Sequence, residues 1–252
     1  MRILHITDPH LLADPCARLH GWPVADCFER VLCHALAHTA GIDALVLGGD
    51  LVDDESAAGY TWLDRRLAGI DLPVLAVAGN HDDPDRMQQC LSQAHVHRSL
   101  QVDGGYLYGL NSHRTGHADG RIGADALASL DASLARVRRP SLICVHHPPV
   151  ALNSAWIDSI GLADGAELLT LLARHPHVRG VLSGHAHQAS TSRWGPLTIW
   201  TTPSTMRQFL PGAAAFAEDR DRPPGYRVID LPMHGAPVSR VVRVSAADVG
   251  CG

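Results

Sequence analysis

The residues of this chain best suited to chemistry fall in short blocks. VLSGHAHQ, from Val181 to Gln188, closes an apolar run on a glycine and then presents His185 and His187 two positions apart. In a chain with 17 histidines, one H-x-H pair says little by itself. Its meaning depends on where other ligand-type residues stand. Asp8-Pro9-His10 follows RILHIT, Asp50 follows ALVLGG, Asn80-His81-Asp82 follows VLAVAG, and His146-His147 follows LICV. Aspartate, histidine and an asparagine carbonyl suit a borderline divalent metal, and the lack of a thiolate among them favours Mn, Fe, Zn, Co or Ni over copper or a cluster. Asp8, His10, Asp50, Asn80, His146, His185 and His187 are too many for one tetrahedral ion, whereas two ions sharing a carboxylate use them naturally. Two divalent ions with Asp8 and Asp50 leave a charge of about +2, which a bridging hydroxide and a phosphodiester monoanion would meet.

Such a set converges only if the runs preceding it lie side by side. RILHIT, ALVLG, VLAVAG, YLYGL, LICV and VRGVLSG read as buried strands, each ended by a polar or turn residue. Phe28, Val31, Leu32, Ala35 and Leu36 form one helical stripe between the first two runs, and Leu168, Leu169, Leu171 and Leu172 form another before the last. This alternation predicts an α/β fold, in which functional residues gather beyond the carboxyl ends of the strands. After Gln188 the segments TSRW, PLTIWTT, YRVIDL and VSRVVRV predict a more antiparallel part. LPGAAAFAEDRDRPPG reads as a long irregular insertion, a length usually associated with function or motion. The expected organisation is one domain over 1–252, with 201–252 a C-terminal extension close to the substrate.

Composition narrows the function. The 252 residues carry a formal charge of -5, which argues against a broad basic nucleic-acid surface. All 21 basic residues are arginine, so neither a P-loop lysine nor a Schiff-base lysine is available. Six cysteines lack any C-x-x-C pair and suggest reduced thiols. MRILHITDPH is too short an apolar run for a signal peptide, and no stretch approaches the ~20 apolar residues of a membrane span. A cytoplasmic protein with no membrane or nucleic-acid partner is expected.

The blocks D-x-H, G-D, G-N-H-D, H-H and G-H-x-H, in this order, resemble the calcineurin-like metallophosphoesterase superfamily. The resemblance implies a four-layer αββα sandwich of two mixed β sheets flanked by helices. It also implies that Asp8, His10, Asp50 and His187 hold one ion, that Asp50, Asn80, His146 and His185 hold the other, and that Asp50 bridges. Iron and manganese are the first expectation for the two divalent ions, with zinc, cobalt and nickel as alternatives. SAWIDSIGL, LARHPHVRGVLSGHAHQ, TTPSTMRQFLP and PPGYR further resemble the bacterial class III 3′,5′-cyclic nucleotide phosphodiesterases, from Met1 to about Leu231. Met206 stands where that group often has cysteine, and Asp164 where it often has asparagine. The activity implied is hydrolysis of cAMP or a similar cyclic nucleotide to the 5′-monophosphate, by attack of a metal-bridging hydroxide on phosphorus. A broader phosphodiesterase acting on 2′,3′-cyclic nucleotides or glycerophosphodiesters is the alternative, a non-catalytic metal-binding scaffold a more distant one. The relatives suggest a homodimer.

Several further residues take expected roles. His81 follows Asn80 and is placed to protonate the leaving alkoxide or hold the phosphate. Asp53 is either the carboxylate that orients His81 or an exposed loop acid. His147 is a supporting or packing residue rather than a ligand. Asn80, His81, His113 and His187 are the substrate-binding candidates, although His113 reads equally as a turn residue. Arg207 and Gln208 either reach phosphate or base or belong to an ordinary loop.

Overall fold

The computed structural model describes residues 1–246 and 248. Its two large sheets place the residues singled out above at one end of the molecule. The first sheet has six strands in the order β14-β13-β1-β2-β3-β4: Val238–Arg243, Gly225–Asp230, Arg2–Ile6, Ala44–Leu47, Val74–Ala76 and Ala94–Val96. β1 to β4 run parallel, and β13 and β14 add an antiparallel edge. The second sheet has the order β5-β6-β7-β8-β10-β9: Ser99–Val102, Gly105–Leu110, Ser141–Val145, Val178–Ser183, Leu197–Thr201 and Ser190–Trp194. β6, β7, β8 and β10 are parallel, with antiparallel β5 and β9 at the edges.

Strand periodicity separates the layers. Along β1, Leu4 and Ile6 pack outwards against Phe28, Val31 and Leu32 of α1 (Val24–His38), while Ile3 faces the second sheet. α2 (Ala57–Leu67) and α3 (Pro84–Cys90) extend that outer layer through Tyr60, Leu63 and Met87. The Ser56 side chain accepts from Gly59 N and so satisfies a free donor at the start of α2. Between the sheets, Ala44, Val46, Leu75 and Val77 meet Leu107, Leu142, Leu182 and Trp200 in a second core. Leu130 and Leu134 of α4 (Ala124–Ala135), with Leu168, Leu169 and Leu172 of α6 (Gly165–Ala173), cover the far face of the second sheet. The architecture is therefore the expected αββα sandwich.

The C-terminal expectation is corrected in detail. PLTIWTT contributes β10, which pairs parallel with β8, and YRVIDL contributes β13, which crosses to the first sheet beside β1. The segment after Gln188 is shared by both sheets because each retained an open edge to be covered. The insertion 210–225 is not wholly irregular either, since Gln208–Phe209 (β11) pairs with Glu218–Asp219 (β12). The last part of the predicted 201–252 extension, residues 247 and 249–252, lies outside the described residues. Cys16, Cys27, Cys90 and Cys144 are free thiols. No described helix is long and apolar enough to cross a membrane.

Candidate metal centre

β1, β2 and β3 end at Ile6, Leu47 and Ala76, and β7 and β8 at Val145 and Ser183. The chain leaves each end through a sharp turn. Asp8, His10, Asp50, His185 and His187 hold the left-handed conformation, with φ of 53°, 48°, 49°, 64° and 47°. This region is disfavoured for residues other than glycine, though Asn, Asp and His enter it most readily. The turns swing successive side chains inward rather than along the strand. Room for them comes from missing Cβ atoms: one on Gly184 would strike Thr7 Oγ1 and Asp8 Oδ2, and one on Gly79 would strike the Asp50 carboxylate.

The inward groups form two adjoining sets. In the first, His187 Nε2 is 3.4 Å from Asp8 Oδ1, His10 Nε2 is 3.6 Å from Asp50 Oδ2, and the two Nε2 atoms lie 3.2 Å apart. In the second, His146 Nε2 is 3.3 Å from the same Asp50 oxygen, and the His146 and His185 rings are 5.2 Å apart. Asp50 Oδ2 thus lies between the sets, while its Oδ1 accepts from His81 N at 2.9 Å. Asn80 Oδ1, His146 Nε2 and His185 Nε2 are buried without any hydrogen-bond partner. Buried polar atoms rarely remain so, and two on rings 5.2 Å apart, with Asn80 next to the His81 amide that binds Asp50, suit atoms meant for cations. The donor set and these orphaned atoms fit two divalent ions.

Surrounding bonds fix the ligand candidates. Asp8 accepts from Thr7 Oγ1 at 2.6 Å and from His185 N at 3.0 Å, and its carbonyl accepts from Ser204 Oγ at 2.7 Å. His146 Nδ1 bonds Gly48 O at 2.8 Å, and His187 Nδ1 bonds Arg207 O at 3.0 Å, which leaves Nε2 of each ring facing the centre. His147 has both ring nitrogens engaged, Nδ1 with Ser112 Oγ at 2.8 Å and Nε2 with Ala118 O at 3.1 Å. It stands close to His146 and His185 but has no nitrogen to spare for an ion. Burial, reinforced by His146, lowers its pKa to about 3.

Asp53 joins two rings. Its Oδ1 lies 2.8 Å from His10 Nδ1 and 3.1 Å from His81 Nδ1. Burial works against its charge, yet the bonds from His10 and His81 hold the carboxyl well below the usual range. The bond to Asp53, opposed by burial and aided by Asp50, raises His81 to about 9. Burial opposes the charge on His146, but Asp50 and Asp8 outweigh it and also raise that ring to about 9. A cation at Nε2 of His146 would compete with a proton there, which makes affinity pH-dependent.

The remaining expectations separate. His113 is drawn to the centre's edge, its Nδ1 3.0 Å from Gly79 O. Gln208 spends its amide on Ser204 O and Met206 O and accepts from Arg243, so it braces the loop rather than facing a substrate. Met206 is buried, and Asp164 accepts from Ile122 N and Gly123 N; neither touches the ligand set. A structural acid escaped the sequence reading. Fully buried Asp82 accepts from Leu51 N, Val52 N, Gly79 N and Tyr60 Oη at 2.8–3.1 Å, tying the Asp50 loop to the Asn80 loop. Its place in G-N-H-D was visible, but apart from Gly79 its partners are 22 to 31 residues away.

Two fused histidine–carboxylate sets at the ends of parallel strands, within an αββα sandwich, define a candidate dinuclear hydrolase centre. Residues 1–189 match the family model described as calcineurin-like phosphoesterase, and the chain belongs to that family. A probable cyclic nucleotide phosphodiesterase of Synechococcus sp. is 35% identical over 238 residues, covering 94% of this chain and 89% of the relative. The 3′,5′-cyclic adenosine monophosphate phosphodiesterase CpdA of Escherichia coli K12 is 32% identical over 249 residues, covering 97% and 90%. Among solved structures, a dimetal phosphatase from Danio rerio superposes with a TM-score of 0.64 at 15% identity, covering 95% of this chain and 98% of the other, which shows a shared fold.

Proposed function

We propose that this protein hydrolyses 3′,5′-cyclic nucleotides, cAMP among them, to 5′-monophosphates at a dinuclear centre. The observation that carries the reading is that His146 and His185, each with an orphaned Nε2, adjoin the Asp8, His10, Asp50 and His187 group through Asp50 and Asp8. The relatives named for cyclic nucleotides support the substrate class. Asp8, His10, Asp50 and His187 would hold one ion; Asp50, Asn80, His146 and His185 would hold the other. When bound, the ions polarise the phosphoryl oxygens and lower the pKa of water enough to supply a nucleophile at neutral pH. Iron and manganese are the ions we assign first, and a cytoplasmic location belongs to the same reading.

The chain's own groups do the rest. The bond to Asp53 favours the charged form of His81, and the ring is exposed enough to meet substrate, so its imidazolium would donate a proton to the departing ribose oxygen. Asp53 holds the His81 tautomer and, through Nδ1 of His10, orients a ligand ring. Asn80, beside His81, and His113, held on Gly79 O, are the groups that would steer the phosphate and sugar.

Chromatography of products tests this reading. Manganese-loaded protein is expected to convert 3′,5′-cAMP to 5′-AMP, and the chelated sample is expected to be silent. Intact 3′,5′-cAMP alongside cleavage of 2′,3′-cAMP or an aryl diester would refute the cyclic-nucleotide assignment while sparing the centre.

A further inference from the structure

Beside His187 the chain builds a feature that metal binding does not require. Phe209 lies flat on the His187 ring, with centroids 4.1 Å apart and planes 8° from parallel. Trp156, on the short helix α5 (Ala155–Asp158), meets Phe209 edge-on at 5.1 Å and Phe216 at 5.3 Å. The Arg207 guanidinium sits over both phenyl rings, 5.4 Å from Phe209 and 5.6 Å from Phe216. Two donors in this group are unmatched: Arg207 Nε and Trp156 Nε1 are buried without hydrogen-bond partners. Phe216 is nevertheless 55% exposed.

A purely structural cluster would bury its outermost ring and satisfy its donors. An open aromatic face next to an arginine, one ring away from a phosphate-binding centre, is instead suited to a heterocyclic base. Bases stack on phenyl rings at about 1–3 kcal/mol each. Arginine donates to N7 of either purine and adds O6 in guanine, whereas pyrimidines offer no N7. The hairpin β11–β12 carries Phe209 directly, and Arg207 O holds His187 Nδ1, so the base platform and a ligand candidate share one scaffold.

We infer that Phe216 and Arg207, backed by Phe209 and Trp156, form the nucleobase site, which accepts purines over pyrimidines and admits both adenine and guanine. This rests on the reading of the centre as a cyclic nucleotide phosphodiesterase. Phe216 is the stacking face, and Arg207 reads the N7 edge.

The test uses the manganese-loaded full chain and the variants Phe216→Ala and Arg207→Met, the latter keeping the side chain's length but not its donors. Substrates are 3′,5′-cAMP, 3′,5′-cGMP, 3′,5′-cCMP and methyl 4-nitrophenyl phosphate, a diester without a base. In the parent protein kcat/KM is expected to be at least about tenfold higher for the two purines than for cCMP. In each variant the ratio of kcat/KM for cAMP to that for the base-free diester is expected to fall about tenfold, mainly through KM. A proportional loss on both substrates, or an unchanged ratio, overturns the proposal. A second measurement does not need turnover: tryptophan fluorescence of the manganese-loaded protein, titrated with 5′-AMP and 5′-CMP. Tighter binding of 5′-AMP that is lost in Arg207→Met supports the site, and equal binding of the two overturns it. If the parent leaves 3′,5′-cAMP intact, the functional reading falls, and the titration still judges the base site.

Discussion

Asp53 shows how one side chain can serve two partners. Its carboxylate favours the charged form of His81, so neutralising it lowers the His81 pKa and the donor proton is lost at lower pH. Asp53→Asn is therefore expected to move the alkaline limb of the kcat profile down by about one unit. The same variant loosens the tautomer of His10, and metal affinity should fall about 10- to 100-fold, read by titration against a competing chelator. An unmoved alkaline limb would show that His81 does not supply the proton. Sequence spacing pointed to Asp53 through its nearness to Asp50; the bond to His10 spans 43 positions and left no local trace.

At the scale of elements, the turns beyond the strands matter more than the strands. A Cβ at position 79 would collide with the Asp50 carboxylate and backbone nitrogen. Gly79→Ala is expected to retain the far-UV circular dichroism of the parent but bind less than half its metal, measured by elemental analysis; full occupancy would mean that the Asp50 loop yields. These positions also explain what could be read in advance. RILHIT, ALVLG, VLAVAG, LICV and VRGVLSG announce buried strands because nonpolar side chains on both faces are recorded in composition, and the polar residue after each marks its end. The short edge strands β4 and β5 escaped because AHV and SLQV carry little such signal. The division of the C-terminal strands between two sheets escaped as well, since pairing partners are set by which edges remain open. Left-handed φ at Asp8, His10, Asp50, His185 and His187 is likewise a property of the assembled loops.

Across the whole molecule, the centre gathers costs that ions would relieve. Orphaned Asn80, His146 and His185 atoms, buried carboxylates and turns of disfavoured φ all lie in one region. Chelation should accordingly lower Tm by several degrees, since a ligand at 100 times its Kd stabilises by about 2.7 kcal/mol. Hydrogen exchange would rise chiefly in the loops after β1, β2 and β8. A Tm indifferent to chelator and to added manganese would count against a structural contribution from the ions.

The placement of β1 bears on how the protein is made. β1 lies between β2, which soon follows it, and β13, whose residues 225–230 are synthesised long after it. Until they emerge, the first strand keeps one edge bare, and until residue 204 emerges its Asp8 lacks the hydroxyl that later holds its carbonyl. A nascent chain stopped before β8 already carries Asp8, His10, Asp50, Asn80 and His146, but neither His185 nor His187. The complete set of ligand candidates is thus withheld until residue 187 has left the ribosome, and the sheet that supports it closes later still.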